Sequence, residues 1–508
     1  MPFRSILFLD ASDSEDVLEP PYFRDLNLDQ IFDAVAARET EFDLRPLFTR
    51  ALANADAIRY RQEAVRDLQR SSLAPLVHAF CNGMHVMREQ LAQRTKLHDN
   101  LQNIRWLLDA VETYCCTIGE FATGLSQIDV ESRAFVGFRS FLKAYVGSSP
   151  FQSLLKQSQR LRLQLAGIRY GVLVGSGFVS VRPYDEQPNY SAEVAATFEK
   201  FRRGSAKDYR VAFNERAQMN YVEEQVLGFV ADLHPQVFDE LRMFAETNEV
   251  FSEPLVMRFD LEVRFYVAYL DHISPLKKAG LPFCFPELAI EDKNVYAYEA
   301  FDLALAQKLT TQLEPIVLND FALGGAERVF LVSGPNQGGK TTFARTFGQL
   351  HYLACLGVPV PGSRARLFVF DKMFTHFDRN ESIETLRGKL QDDLVRIRRI
   401  FELATPRTIL ILNEIFSSTT LADAMFLGRK ILERIVALDA LCVCVTFLVD
   451  LAARGPTIVS LVSEVLVEQP NVRTFRIVRA PADGRSYAQS IAEKYRLTYD
   501  LLKHRIGS

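Results

Sequence analysis

The chain has 508 residues, 48% of them apolar and 24% charged, and its 59 basic and 63 acidic side chains leave a formal net charge of -4. That length and apolar share suit two to four packed domains, and the balanced charge excludes the broad basic field of a dedicated nucleic-acid binder, so any DNA contact must be local. The seven cysteines are odd in number and sit mostly in apolar stretches, the pattern of buried free thiols in a reducing compartment.

At the N-terminus, Ile6-Leu7-Phe8-Leu9 is too short for a signal-peptide core and runs straight into Asp10, Asp13, Glu15 and Asp16. No run reaches the roughly 18 apolar residues of a membrane span, so a cytoplasmic protein without a membrane partner is expected. Residues 1–27 carry no assignable pattern. From Leu28 to Tyr145, apolar residues recur at three- and four-residue spacing, as in Ile58, Ala64, Val65 and Leu68 or Ile104, Leu107, Leu108 and Val111, which predicts helices. Between 166 and 184 the pattern changes to Val172, Val174, Phe178, Val179 and Val181 among glycines, which predicts a small β element. Helices resume over 193–203 and 214–269, with breaks at His234-Pro235 and Glu253-Pro254. A boundary is placed in Pro275–Pro286, where Gly280, Pro282 and Pro286 cluster.

Beyond it the texture alternates. Val329–Ser333, Leu367–Phe370, Thr408–Leu412, Leu441–Thr446 and Phe475–Val478 are short, β-branched apolar runs with helical segments between most of them, as in an α/β sheet. The first run leads into Gly334-Pro335-Asn336-Gln337-Gly338-Gly339-Lys340-Thr341, and Thr342-Phe343-Ala344-Arg345 then begins a helix. Strand, glycine loop and helix in that order form a phosphate-binding loop. Glycines let successive backbone N–H groups turn toward phosphate oxygens, and the helix adds its positive N-terminus. Lys340 is expected on the β- and γ-phosphates of ATP and the Thr341 hydroxyl on Mg²⁺.

Thr408-Ile409-Leu410-Ile411-Leu412 ends in Asn413-Glu414, in the place where a second acidic element is expected. Asn413 stands where ATPases of this kind carry aspartate. Its amide oxygen can still accept a hydrogen bond from metal-bound water, but a charge-assisted bond is about twice as strong, so weaker Mg²⁺ binding is expected. Glu414 is the candidate for polarising the attacking water.

Gly-Pro-Asn-x-Gly-Gly-Lys followed by Thr341 and Thr342 is narrower than a general phosphate loop and resembles that of the MutS mismatch-repair family. Leu356-Gly357-Val358-Pro359-Val360-Pro361, Met373-Phe374-Thr375-His376 and Ser486-Tyr487-Ala488-Gln489 resemble further family segments in family order. Upstream, Ile58-Arg59-Tyr60-Arg61-Gln62-Glu63-Ala64-Val65 resembles the start of the family's helical core domain, and Tyr269-Leu270-Asp271 the close of its lever helices. The resemblance implies an α/β P-loop NTPase domain of the ABC type over 288–508. It also implies a mainly α-helical core and lever domain over 28–287, with the β element near 166–184 inside it.

Three departures stand out. Residues 1–57 leave no room before the core-like motif for separate mismatch-reading and connector domains. The family's signature serine, which caps a γ-phosphate across a dimer interface, aligns with Gly388, where Lys389 could supply charge instead. The family's switch histidine is replaced by Phe447, which cannot hydrogen-bond a phosphate. Near Gly388, Leu386, Leu390, Leu394, Ile397 and Phe401 share one helical face, with Arg396, Arg398 and Arg399 mostly off it. That pattern fits a core-facing helix with a solvated basic face as well as it fits a DNA- or partner-facing one.

The resemblance implies a homodimeric, slowly hydrolysing ATPase that clamps mismatched or branched DNA in DNA repair. A nucleotide-gated binding protein with little hydrolysis, and a relative acting on ribosomes or RNA, stay open beside it.

Overall fold

The computed structural model describes residues 3–9, 19–70, 72–96, 100–184, 193, 197, 219–312, 314–377, 388–416, 418–452, 455–465 and 473–481. The Ser486-Tyr487 segment, Leu386 and all but two residues of the expected helix over 193–203 lie outside them. The chain forms two compact units: one of Met1–Phe3, Gln69–Val130 and Val136–Asp260, the other of Arg4–Leu68, Glu131–Phe135 and Leu261–Ser508.

The first unit is helical. Leu73–Arg94 and Asn100–Gln127 are its longest helices. A Cβ on Gly83 would meet Thr117 and one on Gly124 would meet Leu76, so the two run antiparallel with backbones in close approach. Phe80, Phe121, Phe138 and Phe259 fill the core between helices, the last two stacked with ring centroids 3.7 Å apart. Tyr170–Gly175 and Phe178–Pro183 form the antiparallel hairpin expected near 166–184. Tyr221–Leu233, Pro235–Thr247 and Pro254–Lys278 are separate helices broken where the prolines predict.

The second unit holds a six-stranded sheet in the order 372–376, 408–413, 441–445, 329–333, 458–465, 473–479, parallel except for the last strand. Both faces are covered, which is why Val329–Ser333 and Leu441–Val445 are buried throughout. Alternation sorts their side chains. Val329, Leu331, Leu410, Leu412, Cys442 and Cys444 share a core with Ile397, Ile400, Ile431 and Ile435 from the helices Lys389–Leu403 and Leu421–Ala437. On the opposite face Phe330 meets Phe343 and Phe347, and Ile411 approaches Gly348, all on the helix Lys340–Leu356.

The structure revises several expectations. Arg364–Phe368 belongs to a separate four-stranded sheet with Glu287–Ala289, Val295–Ala300 and Asn319–Leu323, so the run at 367–370 adds nothing to the main sheet. The main sheet instead gains Lys372–His376 and Ile458–Val465. Leu394 is exposed, and the inner face of its helix is Asp393, Ile397 and Ile400. Five of the seven cysteines are buried, whereas Cys116 is exposed and Cys284 half-buried.

The two units also divide the chain differently from the expected boundary at 287/288. Residues 4–68 and 261–287 cluster with the sheet, because their apolar faces close on the helix Lys340–Leu356. Phe23, Phe32 and Phe48 surround Tyr352, and the Gln349 and Arg345 side chains donate to the Leu26 and Asp25 carbonyls at 2.8 and 2.9 Å. The motif around Arg61 lies in the helix Ala55–Leu68 of this same unit. Arg61 is fully buried and donates to the carbonyls of Leu7 (3.0 Å) and Leu356 (3.2 Å), the second at the C-terminus of the Lys340 helix. The first residues are integral as well: the Ser5 hydroxyl donates to Glu262 at 2.8 Å, and Tyr60 and Tyr266 donate to the Ser5 and Ile6 carbonyls.

Candidate functional site

Open α/β sheets gather ligands at the carboxyl ends of their parallel strands, and there the expected site residues converge. Val329–Ser333 delivers the loop Gly334–Gly339, and Lys340 opens the following helix. Gly339 has φ +91, which a side chain would strain, and a Cβ on Gly338 would stand 2.2 Å from the Ser463 hydroxyl. Gln337 also takes a positive φ of 59. Ser463 is fully buried and donates to the Gly338 carbonyl at 2.7 Å, so the strand beside the loop fixes its path.

Lys340 is 4% exposed, and its Nζ donates to the loop's own Gly334 and Pro335 carbonyls at 2.8 and 3.0 Å. The ammonium also lies 4.7 Å from the ring centroid of Phe447. Burial pushes the Lys340 pKa below its ordinary value, the Glu414 carboxylate opposing that shift and Arg473 adding to it.

Thr341 and Asn413 come together, the Thr341 hydroxyl donating to Asn413 Oδ1 at 3.0 Å. The strand Leu441–Val445 lies between their parent strands, so this contact closes over the strand ends. Glu414 follows at φ +55, its N–H donating to the Val445 carbonyl at 2.9 Å. Its side chain is half-buried. Gly388 is the N-cap of the helix Lys389–Leu403, and an added Cβ there would meet nothing within 4 Å among the described residues.

A cavity of about 270 Å³ adjoins Gly339 and Thr342 and is walled by Phe343, Phe475, Ile316 and Val317. Phe475 has a positive φ of 56, held by Asn319, whose side chain donates to the Phe475 carbonyl at 3.1 Å and accepts from the Ile477 N–H at 2.7 Å. A roomier groove of about 750 Å³ runs along Phe370–Thr375, with Arg396 and Arg399 on its rim, and none of the loop residues line it. Sequence reasoning missed Ser463, Phe475 and the ring over Lys340. The alternation in Ile458–Val465 could have marked a strand, but no local signal says which strand lies beside the loop.

The fold and site define a parallel α/β domain with a glycine loop, a buried lysine and a hydroxyl–amide pair at the strand ends. Residues 330–504 match the family description "MutS domain V". Among similar proteins, the Endonuclease MutS2 of Gemmatimonas aurantiaca is 31% identical over 188 residues, covering 36% of this chain and 22% of that protein. The DNA mismatch repair protein MutS of Clostridium kluyveri is 24% identical over 221 residues, 43% of this chain and 24% of that protein. That of Chloroflexus aurantiacus is 27% identical over 176 residues, 34% and 17% of the two chains. Over this domain the chain is similar to proteins of the MutS family. The matched segments span less than a quarter of these relatives' lengths. No helix among the described residues is long and apolar enough to cross a membrane.

Proposed function

We propose that the chain is a MutS-like protein that binds and slowly hydrolyses ATP with Mg²⁺. In this reading it acts as a homodimeric, ATP-driven clamp on mismatched or branched DNA, with a role in DNA repair. The observation that carries the reading is the Thr341–Asn413 contact of 3.0 Å beside a buried lysine. A hydroxyl and an amide oxygen that close can share one hydrated Mg²⁺, an ion that takes one or two protein ligands and completes its shell with phosphate and water. The pair fits the ion but is neutral. Among the described residues no group of three or more His, Cys, Asp or Glu side chains could hold a metal in its place.

When bound, Mg²⁺ would neutralise charge on the phosphates. The chain's own groups do the remaining work. Backbone N–H groups of Asn336 to Gly339 and the N-terminus of the helix from Lys340 receive phosphate oxygens. Lys340 exchanges its two loop carbonyls for phosphate, and Glu414 positions water. The cavity between Phe343 and Phe475 takes the flat base. Leu421 and Phe426 are 72% and 62% exposed on the helix after Glu414, a surface suited to a second copy that would bring Gly388 and Lys389 to the partner's nucleotide.

The DNA role rests on the names of the relatives. Gel-shift titrations of mismatched, branched and plain duplex, with structured RNA as competitor and with and without ATP, test it. Preference for branched or mismatched duplex supports the reading, and preference for RNA replaces it with a ribosome- or RNA-acting role. Sedimentation with and without ATP tests the homodimer. A second reading, a nucleotide-gated binding protein with little hydrolysis, is favoured by the uncharged Asn413. A wild-type turnover no faster than that of Glu414→Gln would select it.

A further inference from the structure

We propose that Phe447 is a positioning residue for Lys340: its ring holds the ammonium on the loop's own carbonyls until a triphosphate takes it, so residues 446–452 read nucleotide occupancy. The inference rests on the nucleotide reading above and adds a device to it.

Three features lead to it. The ammonium has three donors; two point at the Gly334 and Pro335 carbonyls, and the ring centroid 4.7 Å away receives the charge. Phosphate oxygens can engage that ammonium fully only by displacing these partners. Second, Phe447 is 50% exposed although Lys340 beside it is 4% exposed. The ring therefore buries only in part, with the lysine ammonium against it. A phenyl ring has no donor for phosphate, so it can sense a nucleotide only through the lysine.

Third, the ring stands on a fixed base and a transmitting segment. Just before it, the Thr446 N–H donates to the Val332 carbonyl at 3.0 Å, on the strand that leads into the loop. Just after it, the Leu448 N–H donates to the Thr446 hydroxyl and the Val449 N–H to the Phe447 carbonyl, both at 3.0 Å, opening the 3-10 turn Val449–Ala452. Leu451 and Leu448 then reach the backbone at Gly428, where an added Cβ would stand 3.0 and 3.8 Å from them. A ring released from Lys340 thereby changes the packing under the helix Leu421–Ala437, which carries exposed Leu421 and Phe426.

The test uses the full chain with phenylalanine at Trp106, the sole tryptophan, as the parent of Phe447→Leu and Phe447→Trp. Leucine keeps apolar bulk and removes the ring's charge-attracting face, whereas indole strengthens it. Phe447→Leu should bind ATP roughly two- to fivefold more tightly than the parent and Phe447→Trp more weakly by a similar factor. The new tryptophan's emission should shift on adding ATP and stay unchanged in a Lys340→Ala background.

A second measurement needs no nucleotide: acetylation of Lys340 by an amine-reactive ester, followed by mass spectrometry, should be faster in Phe447→Leu. Equal labelling, or equal ATP affinity across the three proteins, would overturn the proposal. If the parent fails to bind ATP, the nucleotide reading falls, and the labelling rate still decides whether the ring holds the lysine.

Discussion

The Thr341 hydroxyl donates to the Asn413 side-chain oxygen across 3.0 Å, joining the first turn of the loop helix to the end of a strand two positions away in the sheet. The contact puts a neutral amide where a carboxylate would hold metal-bound water more firmly. Asn413→Asp should therefore tighten Mg²⁺-ATP binding about fivefold, the difference of about 1 kcal/mol between a neutral and a charge-assisted bond. Without Mg²⁺ the same carboxylate faces the triphosphate bare and should weaken binding. Titrations with Mg²⁺ and with a chelator check both signs; an affinity unmoved in either would remove Asn413 from the metal's neighbourhood.

Ser463 ties the loop to the strand beside it. Losing its buried bond to the Gly338 carbonyl costs about 1 kcal/mol, so Ser463→Ala should bind ATP roughly fivefold more weakly while retaining its fold. Gly338→Ala should be worse, since its new methyl would meet the Ser463 hydroxyl at 2.2 Å. Nucleotide titration beside a circular-dichroism melt separates lost affinity from lost structure.

How much of this was legible beforehand depended on range. The loop could be read because glycines, lysine and threonine lie within eight consecutive residues whose chemistry is local. Asn413-Glu414 could be read because a β-branched run ends there. Sheet membership could not: Arg364–Phe368 looks like any other apolar strand, and only tertiary pairing sends it to the four-stranded sheet. Nor could the 287/288 boundary. Pro275 suggested a break, yet it lies inside the helix Pro254–Lys278, where Tyr269 donates to the Pro359 carbonyl at 2.6 Å. The unassigned first residues matter for a similar reason, since Phe23 and Leu26 complete the loop helix's packing through contacts over 300 residues distant in sequence.

Arg61 supports that helix from its far end. Removing a fully buried guanidinium that donates to the Leu7 and Leu356 carbonyls leaves both acceptors without it. Arg61→Met keeps much of the volume and should still cost about 3 kcal/mol. A urea midpoint within experimental error of wild type would show that the buried arginine is dispensable.

Two histidines set an acid limit. His351, on the loop helix, bonds the Phe347 carbonyl at 2.8 Å, and neither His272 ring nitrogen has a hydrogen-bond partner among the described residues. Burial pushes both pKa values down to about 4 from 6.5. Below pH 6.5 the unfolded chain takes up protons that the folded one refuses. Stability is therefore full above about 6.5 and falls until about 4, by on the order of 3 kcal/mol for each group. Denaturant midpoints between pH 7.5 and 4.5 should drop along this window, and His351→Met should flatten the slope.

The most direct test of the central claim is steady-state ATP hydrolysis by the purified protein, with and without branched, mismatched and plain duplex DNA, beside Lys340→Ala and Glu414→Gln. Slow turnover is expected that either substitution abolishes and that branched or mismatched DNA changes. Turnover that is indifferent to both substitutions, or insensitive to every DNA, would contradict it.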